Sequence, residues 1–192
     1  ELNSNGELIP ELASGMPIIS KDRLKIVINL RKNVFFHDGT SFNSNAIKFT
    51  FDRFKRIGTM NYILGNKIKS IETPSEYSVI INLNKPSSSI NGLLTSVNLT
   101  PISPTFYQEY SDKFLNEKFV GTGKYVLSSF SNEVQSIDPN LNYWGEKPLN
   151  EGIDFVGYSN SSSLFGALKS KQIDVLLSNS IDDSQRKSLN NL

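Results

Sequence analysis

Apolar and polar side chains alternate from Leu24 to Arg31: Leu24, Ile26, Ile28 and Leu30 lie between Lys25, Val27, Asn29 and Arg31. Period two predicts a strand with one buried face. Val34 and Phe36 continue a second short apolar run, and Asp38-Gly39 closes it as a turn. Glycine tolerates positive φ there, and aspartate bonds its own backbone. The period then changes. Ile47, Phe51 and Phe54 fall at i, i+4 and i+7, with Ala46 and Phe49 widening the stripe. That spacing predicts an amphipathic helix whose phenylalanines are core. Asn43 or Ser44 is the expected N-cap, and Gly58 the expected end. Lys48, Asp52 and Arg56 sit four apart on the opposite side, where ion pairs add a few tenths of a kcal/mol.

Further along, a hairpin is expected. Ile68 and Ile71 open it, Pro74-Ser75-Glu76 turns it, and Tyr77, Val79, Ile81 and Leu83 alternate out of it until Pro86. Ile90, Leu93, Leu94 and Val97 have helical spacing. Pro101 and Pro104 fix an extended segment, and a helix is expected between Phe106 and Phe119. Upstream, Ile9 to Ala13 is expected as one helical turn with Pro10 at its first position.

Val120-Gly121-Thr122-Gly123-Lys124-Tyr125 reads as a tight bend feeding a strand, the joint between two α/β units. Residues 124–130 and 134–138 predict a second hairpin, Asp138-Pro139-Asn140 a turn, and Ile153 and Phe155 a strand. Leu164, Ala167 and Leu168 suggest a helix capped within Ser161 to Ser163. Ile173 to Leu177 is expected as a buried strand. Strand, helix, strand predicts a βαβ unit with a parallel pair. Residues 182–192 begin another helix.

Composition narrows the function classes. The chain has 192 residues, 38% hydrophobic and 20% charged, as in ordinary globular proteins. Its net charge of +1 gives no electrostatic case for nucleic acid or an anionic membrane surface. Without cysteine it has no disulfide, thiol nucleophile or thiolate metal site. No apolar run approaches the ~18 residues of a membrane span.

Candidate chemistry is sparse. Gly123-Lys124 invites comparison with a phosphate-cradling loop, but Lys118 stands where its first glycine belongs and Tyr125 where its hydroxyl residue belongs. His37 is the lone histidine, and a single histidine in a turn is expected to be structural, since metal sites need converging ligands. Trp144 is expected as a core anchor rather than a stacking platform. Asp182-Asp183 is a carboxylate pair that diverges into solvent. Asp38, Asp138, Asp154 and Asp174 could serve a hydrolase, but no two are placed as an acid/base pair and no Ser/His/Asp set is credible. No catalytic residue, metal or cofactor is assigned.

Four blocks, in order, carry a family resemblance: Leu30 to Thr40 with Asn45 to Phe49; Val120 to Tyr125; Asp138-Pro139-Asn140 to Tyr143-Trp144-Gly145; and Ala167 to Val175. Pro10, Leu12 and Ala13, and Leu83 to Pro86, add to them. With these the chain resembles the extracytoplasmic solute-binding proteins of ABC importers, in the oligopeptide, dipeptide and nickel branch (family 5). Three positions depart from the family pattern. Asn33 and Lys171 stand where glycine is usual, and Lys124 where proline is common. Lysine in a left-handed conformation at 171 would cost about 1 kcal/mol.

The resemblance implies a mixed α/β fold like the type II periplasmic binding proteins, present in part. Residues 1–118 would be the smaller subdomain of the first lobe, and 119–192 part of its main sheet with the βαβ unit. An N-terminal anchor and a second lobe would lie outside this sequence. It implies a non-catalytic, monomeric protein, periplasmic or otherwise extracytoplasmic, free or lipid-anchored. Such a protein captures a peptide, a similar solute or a nickel chelate in an interlobe cleft and delivers it to membrane permease subunits. Pro101, Ser103, Gly121, Thr122, Gly123 and Tyr125 are the ligand-binding candidates near cleft or hinge. An interaction module of the same ancestry is the alternative. With half a cleft, this segment alone is expected to bind no solute tightly.

Overall fold

The period-two run forms β2 (Lys25–Asn29), an inner strand of an antiparallel sheet in the computed structural model, which describes residues 1–57, 67–109 and 118–189. β1 (Ile18–Ile19), β3 (Ile68–Ser75) and β4 (Ser78–Leu83) complete it in the order β1-β2-β4-β3. Ile26 opposes Ile81 and Ile28 opposes Val79, so these side chains share one face. Ile26, Val79 and Ile81 are buried. A one-residue slip would turn that set to solvent, so burial fixes the register. The hairpin turns at residues 76–77 rather than at Pro74, because Thr73 and Pro74 sit in a register shift between Glu72 and Ser75. Proline cannot donate to a ladder and is accommodated at such a bulge.

The 3.6-period stripe forms α1 (Ser44–Ile57), which packs on β3 and β4 with Ala46 and Phe51 buried. Asn43 is its cap: Oδ1 accepts the Asn45 N–H at 3.0 Å and the Ala46 N–H at 3.3 Å. Ser44 instead donates its hydroxyl to the Ser75 carbonyl at 2.8 Å, tying α1 to β3. Gly58 lies outside the described residues. Residues 9–13 form no helical turn. The Arg31 N–H donates to the Leu12 carbonyl and the Ser14 N–H to the Asn29 carbonyl, each at 2.8 Å, and Ala13 bridges Leu30. Pairing with a formed strand satisfies several backbone groups, whereas a lone helical turn fixes three residues for one bond.

Beyond β4 come α2 (Ile90–Leu93), a 3-10 turn (Val97–Leu99) and α3 (Pro104–Glu109). Proline at the first position of α3 loses no helical hydrogen bond. The rest of the helix expected up to Phe119 runs through residues 110–117, outside the described residues.

β5 (Tyr125–Phe130), β6 (Val134–Pro139) and β7 (Ile153–Val156) make a second sheet, in that order. β6 and β7 are antiparallel, with Ile137 opposite Ile153 and Val134 opposite Val156. α4 (Ser161–Lys169) is capped by Asn160, whose Oδ1 accepts the Ser163 N–H at 2.9 Å, not by the serines that form its first turn. α5 (Asp183–Leu189) follows. Ile173 to Leu177 forms no strand, and Val175 and Leu177 are 81% and 73% exposed. No strand among the described residues pairs with it; Leu177 is locally extended (φ −77°, ψ 125°), but a stable strand needs a ladder partner. The expected parallel crossover is therefore not formed.

The chain divides into two compact units, Glu1–Val126 with Asp138–Glu151, and Leu127–Ile137 with Gly152–Leu192. The first holds the main core, which includes Leu30, Val34, Phe36 and Phe42 beside the sheet and α1.

Candidate functional site

The site grows from the turn between Phe36 and Thr40. Gly39 adopts φ +82°, which glycine reaches without strain. The Phe36 N–H donates to the Thr40 carbonyl at 2.8 Å. Asp38 is the hub of this turn. Its Oδ1 accepts the Thr40 N–H at 3.0 Å and the Thr40 hydroxyl at 2.6 Å. Its Oδ2 accepts the Ser103 hydroxyl at 2.5 Å. Burial alone would raise the Asp38 pKa. The hydroxyls of Ser103 and Thr40 and the Thr40 N–H outweigh it and hold the carboxyl below the ordinary 3.8.

His37 faces the Gly121-Thr122-Gly123 loop. Its N–H donates to the Gly121 carbonyl at 2.9 Å, its Nε2 lies 3.1 Å from the Gly123 carbonyl, and the Gly121 N–H lies 3.4 Å from its Nδ1. Other elements take the remaining carbonyls. The Trp144 indole N–H donates to Thr122 O at 3.2 Å. Asn140 donates its side-chain amide to Gly123 O at 3.0 Å and its backbone N–H to Lys124 O at 2.7 Å. Each loop carbonyl from Gly121 to Lys124 thus accepts a hydrogen bond from outside the loop.

Trp144 is anchored in turn. The Arg31 guanidinium lies 4.5 Å from its ring centroid, and Tyr143 packs beside it with centroids 5.0 Å apart. Arg31 Nε donates to the Glu11 carbonyl at 3.0 Å, and the Tyr143 hydroxyl donates to Glu11 Oε1 at 3.2 Å. Burial, reinforced by the Glu11 carboxylate, pushes the Tyr143 pKa up to about 12.

These elements enclose a cavity of about 440 Å³ in the first unit. Its floor is apolar, with Ile28, Leu30, Ile47 and Phe51 from β2, α1 and their flanks. Leu94, Leu99 and Pro101 form one wall, and Gly121, Thr122, Gly123, Tyr143 and Trp144 another. Polar residues on the lining include Glu1, Glu11, Asn91, Thr95, Ser96 and Thr100; the Asn91 Oδ1 is buried with no hydrogen-bond partner. A buried acceptor without a donor is uncommon in folded proteins.

Of the residues singled out from sequence, Pro101, Gly121, Thr122 and Gly123 lie together on this cavity. Ser103 is fully buried, donates its hydroxyl hydrogen bond to Asp38 and caps α3 by accepting the Phe106 N–H at 3.2 Å. Tyr125 is not on the cavity wall; its hydroxyl donates to Asn150 Oδ1 at 2.6 Å. Glu11 and Asn91 on the cavity, and Asn140 on the loop, take part in the site without having been singled out for it. Only Asn140 left a trace in the sequence, through its turn signature. Among the described residues no group of three His, Asp or Glu side chains could hold a metal ion.

A family model described as "Bacterial extracellular solute-binding proteins, family 5 Middle" matches residues 7–192. A Brucella ovis protein named for ABC-transporter peptide binding is 28% identical over 186 residues, covering 92% of this chain and 34% of its own. The chain thus spans about a third of the length of that curated relative. Among solved structures, NikZ from Campylobacter jejuni in complex with Ni(L-His) superposes with a TM-score of 0.81 at 25% identity, over 90% of this chain and 35% of its own. The periplasmic binding protein DppA from Helicobacter pylori in complex with the peptide STSA gives 0.75 at 26% identity, over 87% and 37%.

Proposed function

This chain belongs to the bacterial extracellular solute-binding proteins of family 5, and from that premise we propose that it supplies part of the solute-binding lobe of an ABC-type importer. The protein captures a peptide or similar solute and delivers it to membrane permease subunits outside the cytoplasm. Residues 1–118 act as the smaller subdomain of that lobe, and 119–192 as part of its main sheet. The observation that carries the reading is the 440 Å³ cavity, apolar on its floor, with Pro101 and Gly121 to Gly123 on its walls and the unpaired Asn91 acceptor. Apolar pockets with a few placed polar groups are the usual form of a small-molecule site. A backbone or terminal N–H of a peptide is the complement that Asn91 lacks.

A nickel chelate is the second solute considered, favoured by the likeness to NikZ with its Ni(L-His). A chelate brings its own ligands, so it does not require converging His, Asp or Glu side chains from the protein. Ligand binding stabilises the folded state by mass action. Thermal unfolding of the chain, within the longest form of the protein expressed, is followed with a di- to pentapeptide pool and separately with nickel plus histidine. A rise in melting temperature with one of them is expected, with the solute recovered unchanged by mass spectrometry. No rise with either refutes solute capture, and a cleaved peptide refutes the non-catalytic reading.

A further inference from the structure

We propose that His37, held as the neutral Nε2–H tautomer, is the positioning residue of the Gly121–Gly123 wall of the cavity. The two ring contacts demand the same tautomer. A carbonyl oxygen cannot donate, so the 3.1 Å contact between Nε2 and Gly123 O requires the hydrogen on Nε2. A backbone N–H cannot accept, so the Gly121 N–H, 3.4 Å away, requires a bare Nδ1. The His37 N–H adds a third bond, to Gly121 O at 2.9 Å. One residue therefore grips the loop at both glycines, with an acceptor for the first and a donor for the second. Thr122, between them, is held from the far side by Trp144.

The Asp38 carboxylate takes its hydrogen bonds from Ser103 and Thr40. The Lys124 ammonium lies 5.8 Å from the Tyr143 ring centroid. The loop needs such a grip, because Gly121 and Gly123 carry no side chain to pack and lose much backbone entropy on ordering.

The role in solute binding rests on the cavity being the solute site; the tautomer and the grip do not. The chain has a single histidine, so 15N-histidine labelling reports on His37 alone. Recorded on the neutral imidazole, the expected spectrum has a protonated Nε2 and an unprotonated Nδ1; the opposite tautomer, or an even mixture of the two tautomers, overturns the proposal. Two variants then separate the contacts. In His37→Gln the side-chain amide can still donate toward Gly123 O but nothing accepts from Gly121. In His37→Asn the carbonyl stands where Nδ1 does, and the donor to Gly123 O is lost. Hydrogen exchange of the Gly121 amide should rise about two- to tenfold in His37→Gln, the worth of one net hydrogen bond, and stay near wild type in His37→Asn. A residue that merely fills space would move both alike, and equal exchange in the two variants refutes the grip.

The functional half is read with the same peptide pool. If wild type shows a peptide-induced thermal shift and His37→Gln keeps it in full, the loop position is irrelevant to binding and that half fails. If wild type shows no shift while the tautomer is as stated, solute capture fails and the grip stands.

Discussion

Thr50 is the residue through which the helix α1 holds the segment carrying Pro101. It is 4% exposed, donates its hydroxyl to the Ala46 carbonyl at 2.8 Å and accepts the Ile102 N–H at 3.1 Å. Replacing it with valine keeps the shape and removes the hydroxyl, so no cavity contributes to the cost. A carbonyl inside a helix already accepts a backbone N–H, so losing the bond to Ala46 costs little. The Ile102 N–H loses its acceptor; a fully buried donor left unpaired costs about 1–3 kcal/mol, and because Ile102 is only half-buried the expected cost is about 1 kcal/mol. Thr50→Ser keeps the hydroxyl and drops one methyl, at about 0.5–1.5 kcal/mol. Equilibrium urea unfolding, followed by the fluorescence of Trp144, the single tryptophan, reads the first unit. Thr50→Val should lower the midpoint at unchanged slope, and the Ile102 amide should exchange faster, while Thr50→Ser leaves that amide protected. If Thr50→Val stays within ~0.5 kcal/mol of wild type with the Ile102 amide still protected, the hydroxyl bridge carries no stability.

Three further outcomes are expected. Asp38 has a folded pKa below its ordinary 3.8, so its contribution is complete above that pH and is lost as pH falls through the lower folded value; Asp38→Asn should flatten the acid limb of a stability–pH curve, and an unchanged limb counts against the hub. Tyr143, pushed up to about 12, favours the folded state below pH 10.0 and loses that advantage as pH rises toward 12; in an absorbance titration of the native protein one phenol should ionise near 12, and Tyr143→Phe should remove that step. Lys171 sits at φ +60°, so Lys171→Gly should raise thermal stability by up to about 1 kcal/mol, and a loss on that change would mean the lysine side chain makes a contact worth more than the strain.

Much of the first unit was legible because periodicity and burial agree there. The alternation Leu24 to Leu30 and the stripe Ile47, Phe51, Phe54 each chose one face, and the sheet and α1 buried that face. Asn33 at φ +58° and Lys171 at φ +60° show the same legibility at single positions, where the substitution for glycine marked a left-handed backbone in advance. Legibility failed where a segment's partner lies far away in sequence. Residues 9–13 have a plausible helical start, but β2 offered them backbone partners that local propensity does not register. Ile173 to Leu177 failed in the opposite sense: its residues suit a strand, yet a strand exists only with a ladder, and none reaches it among the described residues.

The site was less legible than the fold for a reason that its hydrogen bonds make plain. The glycines of the Gly121-Thr122-Gly123 loop stand out in any scan, and residues that stand out are the ones a sequence offers as ligand contacts. What holds the loop are His37, Asn140 and Trp144, all acting on its carbonyls. A side chain that bonds backbone leaves no mark on its partner's residue type, because every residue has the same carbonyl. Ser103 shows the converse. As a hydroxyl between two prolines it was a candidate contact, but it donates its hydrogen bond to Asp38 and accepts one from the first turn of α3. Asn91 was invisible on both counts, since an asparagine in a short helix has no signature until its neighbours are placed. Asn91 Oδ1 differs from the loop carbonyls in one respect: each of them already accepts a hydrogen bond, and the fold leaves Asn91 Oδ1 without one.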